Sequence, residues 1–291
     1  MRLRNRILIN LFLISVVLFI NGLIYANMSP RLFLISCNGE LNSAVGNKIT
    51  PVKSEKKWIG DVPRGFLYGD DFFAIDDNKL IFSNIKTDEL KTLVDLQTVV
   101  DKNYKPWQVG YADSEVIYFS AQRYEKSLPI NEQEYHSAIY RFDRASGESK
   151  KVNLECRSPY FSVHNERIYF VGTNGEISEF AGGQTNSLGI RGNFPSISPN
   201  GEKICFASFE LINDHVYLYN LRNKRKTSLI SFLGPRGVNP IIRWSKDNDY
   251  VAVKKQSDLT AGPLYLINTN SQKVVQKYEE SHACNWFLVD K

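Results

Sequence analysis

One short pattern recurs along the chain: a short strand, a polar turn and then a strongly apolar strand. It occurs five times in succession, at Phe72–Phe82, Val109–Phe119, Tyr160–Phe170, Ser196–Phe206 and Ile242–Val253. A second hairpin follows in at least three of the units, starting at Ile139, Val216 and Leu264. Units of four antiparallel strands that repeat at intervals of about 36–51 residues are typical of propeller blades, which bury their faces against one another. The repeat therefore predicts a propeller.

Composition agrees with an all-β domain. The chain has 15 Tyr and 17 Phe residues, which suit half-buried strands. No segment after residue 26 shows sustained helical periodicity. We expect residues 27–291 to form one β domain.

The two ends of the chain are predicted to close the ring. Arg31–Leu41 resembles Arg167–Ile177 almost position for position, yet no strand precedes it. The missing strand is predicted at Ala283–Val289. Five complete blades start near residues 66, 107, 158, 194 and 240, which leaves this strand and three N-terminal ones, Arg31–Ser36, Glu40–Val45 and Lys48–Lys53. The prediction is a six-bladed β-propeller whose sixth blade combines N- and C-terminal strands, removing open sheet edges.

One blade carries a recognisable motif. The Ser196–Phe206 hairpin resembles the Ser-Pro-Asp-Gly-Lys blade motif of TolB-like six-bladed propellers, with Asn for Asp and Glu for Lys, and Trp244–Asn248 is a looser copy. The blade pattern is also similar to WD-repeat-like rings, although their Gly-His and Trp-Asp pairs are absent. The resemblance implies a propeller that docks proteins or peptides outside the bacterial cytoplasm. Related propellers include domains of peptidases and some lyases, so the resemblance leaves function open.

Residues 1–26 are predicted to direct export. Arg2, Arg4 and Arg6 precede an apolar run, Ile7–Ala26, long enough for a membrane-spanning helix. This segment is either an uncleaved signal anchor or a signal peptide cleaved after Ala26; lipidation at Cys37 is a third alternative. Because arginines stay on the cytoplasmic side, the rest of the chain is expected to be extracytoplasmic, either anchored by a single span or secreted.

The net charge argues against nucleic-acid binding. The formal charge is +5, but three of the basic residues belong to the N-terminal segment, and without them it is +2. The remaining sequence has no basic stripe, so we expect no nucleic-acid partner.

No catalytic or metal-binding pattern stands out. The four histidines have no metal-ligand spacing between them, and no Gly-x-Ser-x-Gly elbow occurs. The acidic pairs Asp70-Asp71 and Asp76-Asp77 are interpreted as turn residues rather than cation ligands. The basic cluster Arg222–Lys226 is interpreted as a solvated edge. We therefore expect no catalysis, metal site or cofactor.

Two cysteines are candidates for a disulfide. Transferring the register of the third complete blade to the closing blade places Cys37 opposite Cys284. An error of one residue would separate them, so unpaired cysteines remain the alternative. No register pairs Cys156 with Cys205.

The predicted binding surface is the loop face, where the loops between second and third strands lie beside the blade-to-blade crossings. The longest such loop runs from residue 123 to 136. The candidate binding residues on this face are Trp107, Arg123, Tyr124, Lys126 and Arg236. The sequence thus predicts an exported, membrane-tethered module that binds a protein or peptide; the alternative is an extracellular enzyme acting on a glycan or peptide, with acidic residues in the central funnel.

Overall fold

The computed structural model describes residues 31–36, 41–45, 48–51, 65–84, 87, 89–123, 136–210, 212–233, 238–255, 262–279 and 283–289. These residues form antiparallel four-stranded sheets and one short 3-10 helix, Leu96–Thr98. The predicted all-β propeller is confirmed. No helix within the described ranges is long and apolar enough to cross a membrane, and residues 1–30 lie outside those ranges.

Five sheets each consist of four consecutive strands and are the blades of the propeller. Blade 1 contains β4 (Phe66–Tyr68), β5 (Asp71–Asp76), β6 (Lys79–Asn84) and β7 (Leu90–Asp95). Blade 2 contains β8 (Tyr104–Ala112), β9 (Val116–Arg123), β10 (His136–Asp143) and β11 (Ser149–Lys151). Blade 3 contains β12 (Phe161–His164), β13 (Arg167–Val171), β14 (Glu176–Ala181) and β15 (Gln184–Arg191). Blade 4 contains β16 (Asn193–Ile197), β17 (Lys203–Phe209), β18 (Asn213–Asn220) and β19 (Lys226–Leu233). Blade 5 contains β20 (Val238–Trp244), β21 (Tyr250–Lys255), β22 (Leu264–Asn268) and β23 (Lys273–Tyr278).

A further four-stranded sheet, the terminal sheet, joins the two ends of the chain. Its strands are β1 (Arg31–Ser36), β2 (Leu41–Val45), β3 (Lys48–Pro51) and β24 (Ala283–Val289). They lie in the order β24-β1-β2-β3, and β24 is in contact with β20 of blade 5. The structure thus shows five blades of consecutive strands rather than six, together with this sheet, for which backbone pairing alone is described.

The pairing of β1 with β24 corrects the register proposed for the disulfide. Ile35 lies opposite Asn285, whereas the predicted register would place it opposite Trp286. A register shift follows directly, so that Ser36 lies opposite Ala283. Cys37 lies outside the described residues, and its bond to Cys284 stays a prediction that this register no longer supports. Cys156 and Cys205 are free and buried.

The repeated hairpin has a different position in blade 1 from the one predicted. Phe72–Phe82 covers β5 and β6, the second and third strands, because the short strand β4 precedes them. In blades 2 to 5 the repeat covers the first and second strands, as predicted. Of the acidic pairs interpreted as turn residues, Asp70 and Asp77 lie in turns, and Asp77 adopts a φ of 42°. Asp71 and Asp76 are instead the end residues of β5, and Asp71 accepts a 2.7 Å hydrogen bond from Asn84 on β6.

The core lies between the blades. One cluster packs Phe73 and Leu80 of blade 1 against Phe119 and Tyr140 of blade 2. Equivalent clusters join blades 2 and 3, 3 and 4, and 4 and 5. The second strands bury both faces because they lie inside the sheet and between two neighbouring blades, which explains their continuous apolar sequences.

The propeller has two different faces. The turns between first and second strands form one, the turn face, and the loop face lies opposite. On the turn face, the backbone N–H of Lys203 donates to Ser198 Oγ (2.9 Å), and Gly201 has a φ of 72°. Ser245 forms the same bond with the N–H of Tyr250 (2.9 Å) in blade 5. The motif residues therefore build tight turns. By its position in the terminal sheet, β1 begins at the turn face.

Candidate functional site

A cavity of about 440 Å³ lies at the centre of the ring. The described part of its wall is formed mainly by β4, β8, β12, β16 and β20, the first strand of each blade. Each of these inner strands is an edge strand that pairs only with the second strand of its own blade. Consecutive inner strands are in contact but form no ladder, so backbone groups along these edges are left to other partners.

Prolines interrupt three of these edges. Pro106, Pro195 and Pro240 lie within the register shifts of β8, β16 and β20. Proline has no backbone N–H and is tolerated on edge strands and at bulges. The inner strands therefore cannot pair regularly with one another, and the ring stays open at its centre.

Side chains join neighbouring inner strands in place of a ladder. These hydrogen bonds are Gln108 Nε2 to the Pro159 carbonyl (3.0 Å), the Ile197 N–H to Ser162 Oγ (3.0 Å), Ser196 Oγ to the Ile242 carbonyl (3.0 Å) and Trp244 Nε1 to the Ser196 carbonyl (2.9 Å). They link blades 2 to 5 in sequence. Because they fix both rotamers and strand spacing, the cavity is preorganised.

Aromatic rings form much of the wall. The rings of Phe66 and Tyr111 have centres 5.7 Å apart, and those of Tyr160 and Phe194 are 4.8 Å apart, edge to face. Phe194 also has a φ of 57°, which is rare for a bulky residue. Its ring continues towards Phe209 on the loop face, with centres 5.5 Å apart. A row of aromatic side chains thus runs from the cavity to the loop face.

Arg243 brings a positive charge to this wall. The residue lies on β20, and its Nη2 atom donates to the carbonyl oxygen of Gly65 in blade 1 at 3.0 Å. The guanidinium carbon is 5.8 Å from the ring centre of Phe66. Burial lowers the pKa of Arg243 from 12.5 to about 10 because the charged form loses solvation. Arg243 remains charged at neutral pH and connects blades 5 and 1.

The other titratable groups on the wall add no negative charge at neutral pH. None of the lining residues that the structure describes is Asp or Glu. Burial, together with the nearby Arg167, lowers the pKa of His164. Burial and a 3.0 Å hydrogen bond to Asp113 raise the pKa of Tyr111. The described residues include no group of three His, Cys, Asp or Glu side chains arranged to hold a metal ion.

The candidates chosen from the sequence lie elsewhere. Trp107 is on β8 at a register shift, and Arg123 ends β9 where the loop starting at residue 124 begins. Neither of them lines the cavity. Tyr124, Lys126 and Arg236 lie outside the described residues. The loop-face assignment therefore stays a prediction for these five residues.

Sequence reasoning missed the cavity residues. The sequence carried one signal for them, their position in the first strand of a blade. Phe194 directly precedes Pro195, and Arg243 directly precedes the looser motif copy that begins at Trp244. Reading those positions as wall residues would have required the inner strands and their inward-facing sides to be known. The basic cluster from Arg222 was interpreted correctly, since residues 222–226 are exposed.

The loop face of blade 4 also presents apolar side chains. Phe209, Ile212 and Leu233 are 38%, 71% and 76% exposed, respectively. Phe209 ends the second strand and Leu233 ends the fourth, so both lie on the loop face near the end of the aromatic row. Grouped exposed apolar residues of this kind are common at binding surfaces.

Comparisons with known proteins show the fold. No protein-family model and no curated protein sequence matches the chain. Among solved structures, TolB from Acinetobacter baumannii is similar with a TM-score of 0.61 and 14% identity, over 91% of this chain and 67% of that one. A putative 6-phosphogluconolactonase from Bacteroides uniformis has a TM-score of 0.55 and 9% identity, covering 89% of this chain and 99% of that one. An oligogalacturonate lyase in complex with manganese has a TM-score of 0.52 and 13% identity, covering 82% and 70%. At such identities the likeness concerns the fold alone: the chain is an all-β propeller with TolB among its structural neighbours.

Proposed function

We propose that this protein is an exported, membrane-tethered binding module that holds a segment of a protein or peptide partner in its central cavity and on the adjoining loop face. The observation that carries the proposal is the preorganised cavity of about 440 Å³ with aromatic walls. Pockets of this size, largely apolar with a few fixed polar groups, are typical of ligand sites.

The row of aromatic side chains supports a ligand that extends beyond the cavity. Tyr160, Phe194 and Phe209 form successive ring contacts between the wall and the loop face. Aromatic residues are enriched at the energetic centres of protein interfaces because they bury a large area with little loss of conformational freedom. An extended peptide segment can contact the whole row, whereas a small metabolite would fit within the cavity alone.

The N-terminal sequence supports the cellular location. An Arg-rich start and about 20 apolar residues favour export and tethering. The fold likeness to TolB is compatible with this assignment, since TolB-like propellers act in protein interactions outside the cytoplasm. Fractionation of cells producing the full chain tests the location: we expect it in the membrane fraction, exposed to protease from outside the cytoplasm, and soluble cytoplasmic protein would contradict it.

The enzyme alternative has less support. A lyase and a putative lactonase have a similar fold. For the glycan-hydrolysing alternative, two carboxylic acids about 5–10 Å apart would be needed. The described residues of the cavity wall include no Asp or Glu, and the polar side chains of Gln108 and Trp244 form hydrogen bonds that join neighbouring strands. Binding without turnover is the simpler use of such a wall.

The proposal is tested by peptide selection against the full chain in lipid nanodiscs. Random peptides displayed on phage are enriched, and the binding of selected sequences is measured by fluorescence anisotropy. Tyr160→Ala removes a ring of the wall, and we expect it to weaken binding about tenfold or more. Tyr68→Ala is the matched control, because Tyr68 is 44% exposed and does not line the cavity.

Two results would contradict the proposal. One is a failure to enrich any peptide sequence against the wild-type chain. The other is equal binding of the selected peptides to Tyr160→Ala, Tyr68→Ala and wild type, which would place the site away from the aromatic row. The urea midpoint of each variant is measured in parallel, so that unfolding is not mistaken for lost affinity.

A further inference from the structure

The turn face of blades 4 and 5 carries an excess of positive charge. It consists there of four turns, residues 199–203, 221–226, 246–249 and 269–273, which we call the basic turns. Four basic residues lie within 222–226, and Lys203, Lys246 and Lys273 bring the total to seven. The same turns contain three acidic residues, Glu202, Asp247 and Asp249, so that a net charge of +4 remains.

This positive charge is not neutralised by ion pairs. Among the residues that the structure describes, no Asp or Glu side chain forms an ion pair with any of the seven basic ones. Lys203 donates to Asn270 Oδ1 at 3.3 Å, and the Lys226 ammonium lies 4.3 Å from the ring centre of Tyr217. Both partners are neutral, and all of the basic side chains except the half-buried Lys203 are exposed. The basic turns therefore present their charge to the surroundings.

The turn face has the opposite sign at blades 2 and 3. The turns there, residues 113–115, 144–148, 165–167 and 182–183, contain four acidic and two basic residues. One of those basic residues, Arg167, already pairs with Glu179 at 2.9 Å. Charge is thus segregated across the turn face, with the positive part on blades 4 and 5.

Hydrogen bonds join the basic turns into one surface. The Asn200 N–H donates to Asn248 Oδ1 at 2.8 Å and links blade 4 to blade 5. The Leu221 N–H donates to the carbonyl of Glu202 at 2.9 Å within blade 4. Together with the bond from Lys203 to residue 270, these contacts connect the turn 199–203 to the other three. The charges are therefore held on a common platform.

The chain enters the propeller beside this platform. β1 begins at the turn face, and its partner β24 is in contact with β20 of blade 5. The apolar run Ile7–Ala26 ends five residues before Arg31, a separation of at most about 18 Å for a fully extended chain. A chain anchored by this run holds its turn face close to the bilayer surface, with blade 5 beside the anchor.

From this arrangement we infer that the basic turns bind the phosphate groups of anionic phospholipids in the membrane that anchors the chain. Exposed Lys and Arg are attracted to an anionic bilayer over about 8–10 Å, and a guanidinium pairs two N–H donors with phosphate oxygens. This contact brings blades 4 and 5 to the bilayer and leaves the loop face open to a partner. The inference rests on the proposed function, because it requires the membrane tether.

Depth measurements on the full chain in lipid nanodiscs test the inference. A fluorescent dye is attached at Ser271→Cys in the basic turns or at Ser146→Cys in blade 2, in chains that also carry Cys37→Ser and Cys284→Ser. The two labelled positions are matched, because both serines are exposed and both donate to the last residue of the preceding strand, at 3.0 and 3.1 Å. The nanodiscs contain phosphatidylcholine alone or mixed with phosphatidylglycerol, and lipids with spin-labelled headgroups quench the dye.

The expected result depends on lipid charge and on salt. In nanodiscs with phosphatidylglycerol we expect stronger quenching at residue 271 than at residue 146. The difference should shrink in phosphatidylcholine alone and at high salt, because dissolved ions screen the attraction.

Variants locate the effect. One variant removes three exposed charges of the basic turns: Arg222→Gln, Lys224→Gln and Arg225→Gln together. Its matched control removes three exposed charges near the loop face: Lys102→Gln, Lys105→Gln and Arg191→Gln together. Since each basic residue near an anionic surface favours contact about fivefold, the first variant should lower the ratio of docked to undocked orientations about 100-fold, and the control should not change it. The urea midpoint of each variant is measured, and should the first variant unfold, the lipid and salt dependence of the two labels decides.

The outcomes separate the inference from the proposed function. Equal quenching at the two positions, or a difference that lipid charge, salt and the first variant leave unchanged, overturns the inference and leaves the tether intact. Polyglutamate that binds the basic turns while lipid charge has no effect replaces the lipid by an acidic protein segment and also overturns the inference alone. A full chain that does not remain with the nanodiscs overturns both.

Discussion

Replacing Arg243 by methionine removes the link between blades 5 and 1, yet we expect it to leave the stability of the propeller nearly unchanged. The guanidinium donates to the Gly65 carbonyl at 3.0 Å and lies 5.8 Å from the Phe66 ring centre. A hydrogen bond from a charged group contributes about 1.5–3 kcal/mol and a cation–π contact about 0.5–1 kcal/mol. These two contacts together therefore contribute about 2–4 kcal/mol of favourable interaction, which the variant loses.

A gain of similar size opposes this loss. A pKa of about 10 in place of 12.5 corresponds to about 3 kcal/mol spent on desolvating the charged side chain. Methionine has a similar length, carries no charge and fills apolar space without that cost. The net change in the free energy of unfolding is thus expected within about 1 kcal/mol of zero.

The neighbouring residue supplies the comparison. Trp244→Phe removes a neutral hydrogen bond from Nε1 to the Ser196 carbonyl and part of a ring, with no relief of a buried charge. We expect this substitution to lower the free energy of unfolding by about 1–3 kcal/mol. Urea unfolding, followed by far-ultraviolet circular dichroism, shows which of the two variants loses more stability. A loss above about 3 kcal/mol for Arg243→Met, or a loss larger than that for Trp244→Phe, would refute the argument and make Arg243 a structural crosslink.

Three further outcomes are expected. Gly110→Ala should lower the free energy of unfolding by about 1–3 kcal/mol, because an added Cβ atom would lie 2.5 Å from the Phe161 ring. Phe161→Leu should recover part of this loss in the double variant, and strictly additive effects of the two substitutions in urea unfolding would contradict that contact. Burial raises the pKa of Cys156 to about 12, so its thiol should not react with Ellman's reagent at pH 8 until urea is added. The measurement uses a variant with Cys37→Ser and Cys284→Ser, and rapid reaction of that folded variant would be inconsistent with this burial. If the N-terminal segment anchors the chain, the turn face should lie nearer the membrane, because β1 begins at that face. A spin label at Asn200 on the turn face should then be quenched by lipid-bound relaxation agents more strongly than a label at Ile212 on the loop face. Stronger quenching at Ile212 would mean that the loop face lies nearer the membrane.

The closing strands show how far a repeat can be followed in the sequence. Ala283–Val289 is predicted as a strand and occurs with the same bounds, because its apolar residues match the inner-strand position of a complete unit. The register against β1 already differs by one residue from Arg31 to Ile35, and a shift between Ile35 and Ser36 displaces it by one residue more. Such irregularities depend on local packing and leave little trace in a hydrophobic pattern.

Blade 1 illustrates a second limit. The hairpin from Phe72 has the same pattern as the other copies, but it lies one strand further along its blade. Strands buried on both faces look alike in sequence, whether they are second or third in a blade. The three-residue strand β4 was too short to produce a pattern of its own.

The sequence by itself determined the repeating unit, the turns and the strands that join the two ends, because alternating burial and turn geometry act on neighbouring residues. The tertiary structure alone decided which residues face the centre. Arg243, Phe194 and Tyr160 are far apart in the chain and have no shared motif, and they meet only because the inner strands of separate blades surround one cavity. A binding site assembled from one or two residues per blade is a property of the closed ring, so no local pattern could have predicted it.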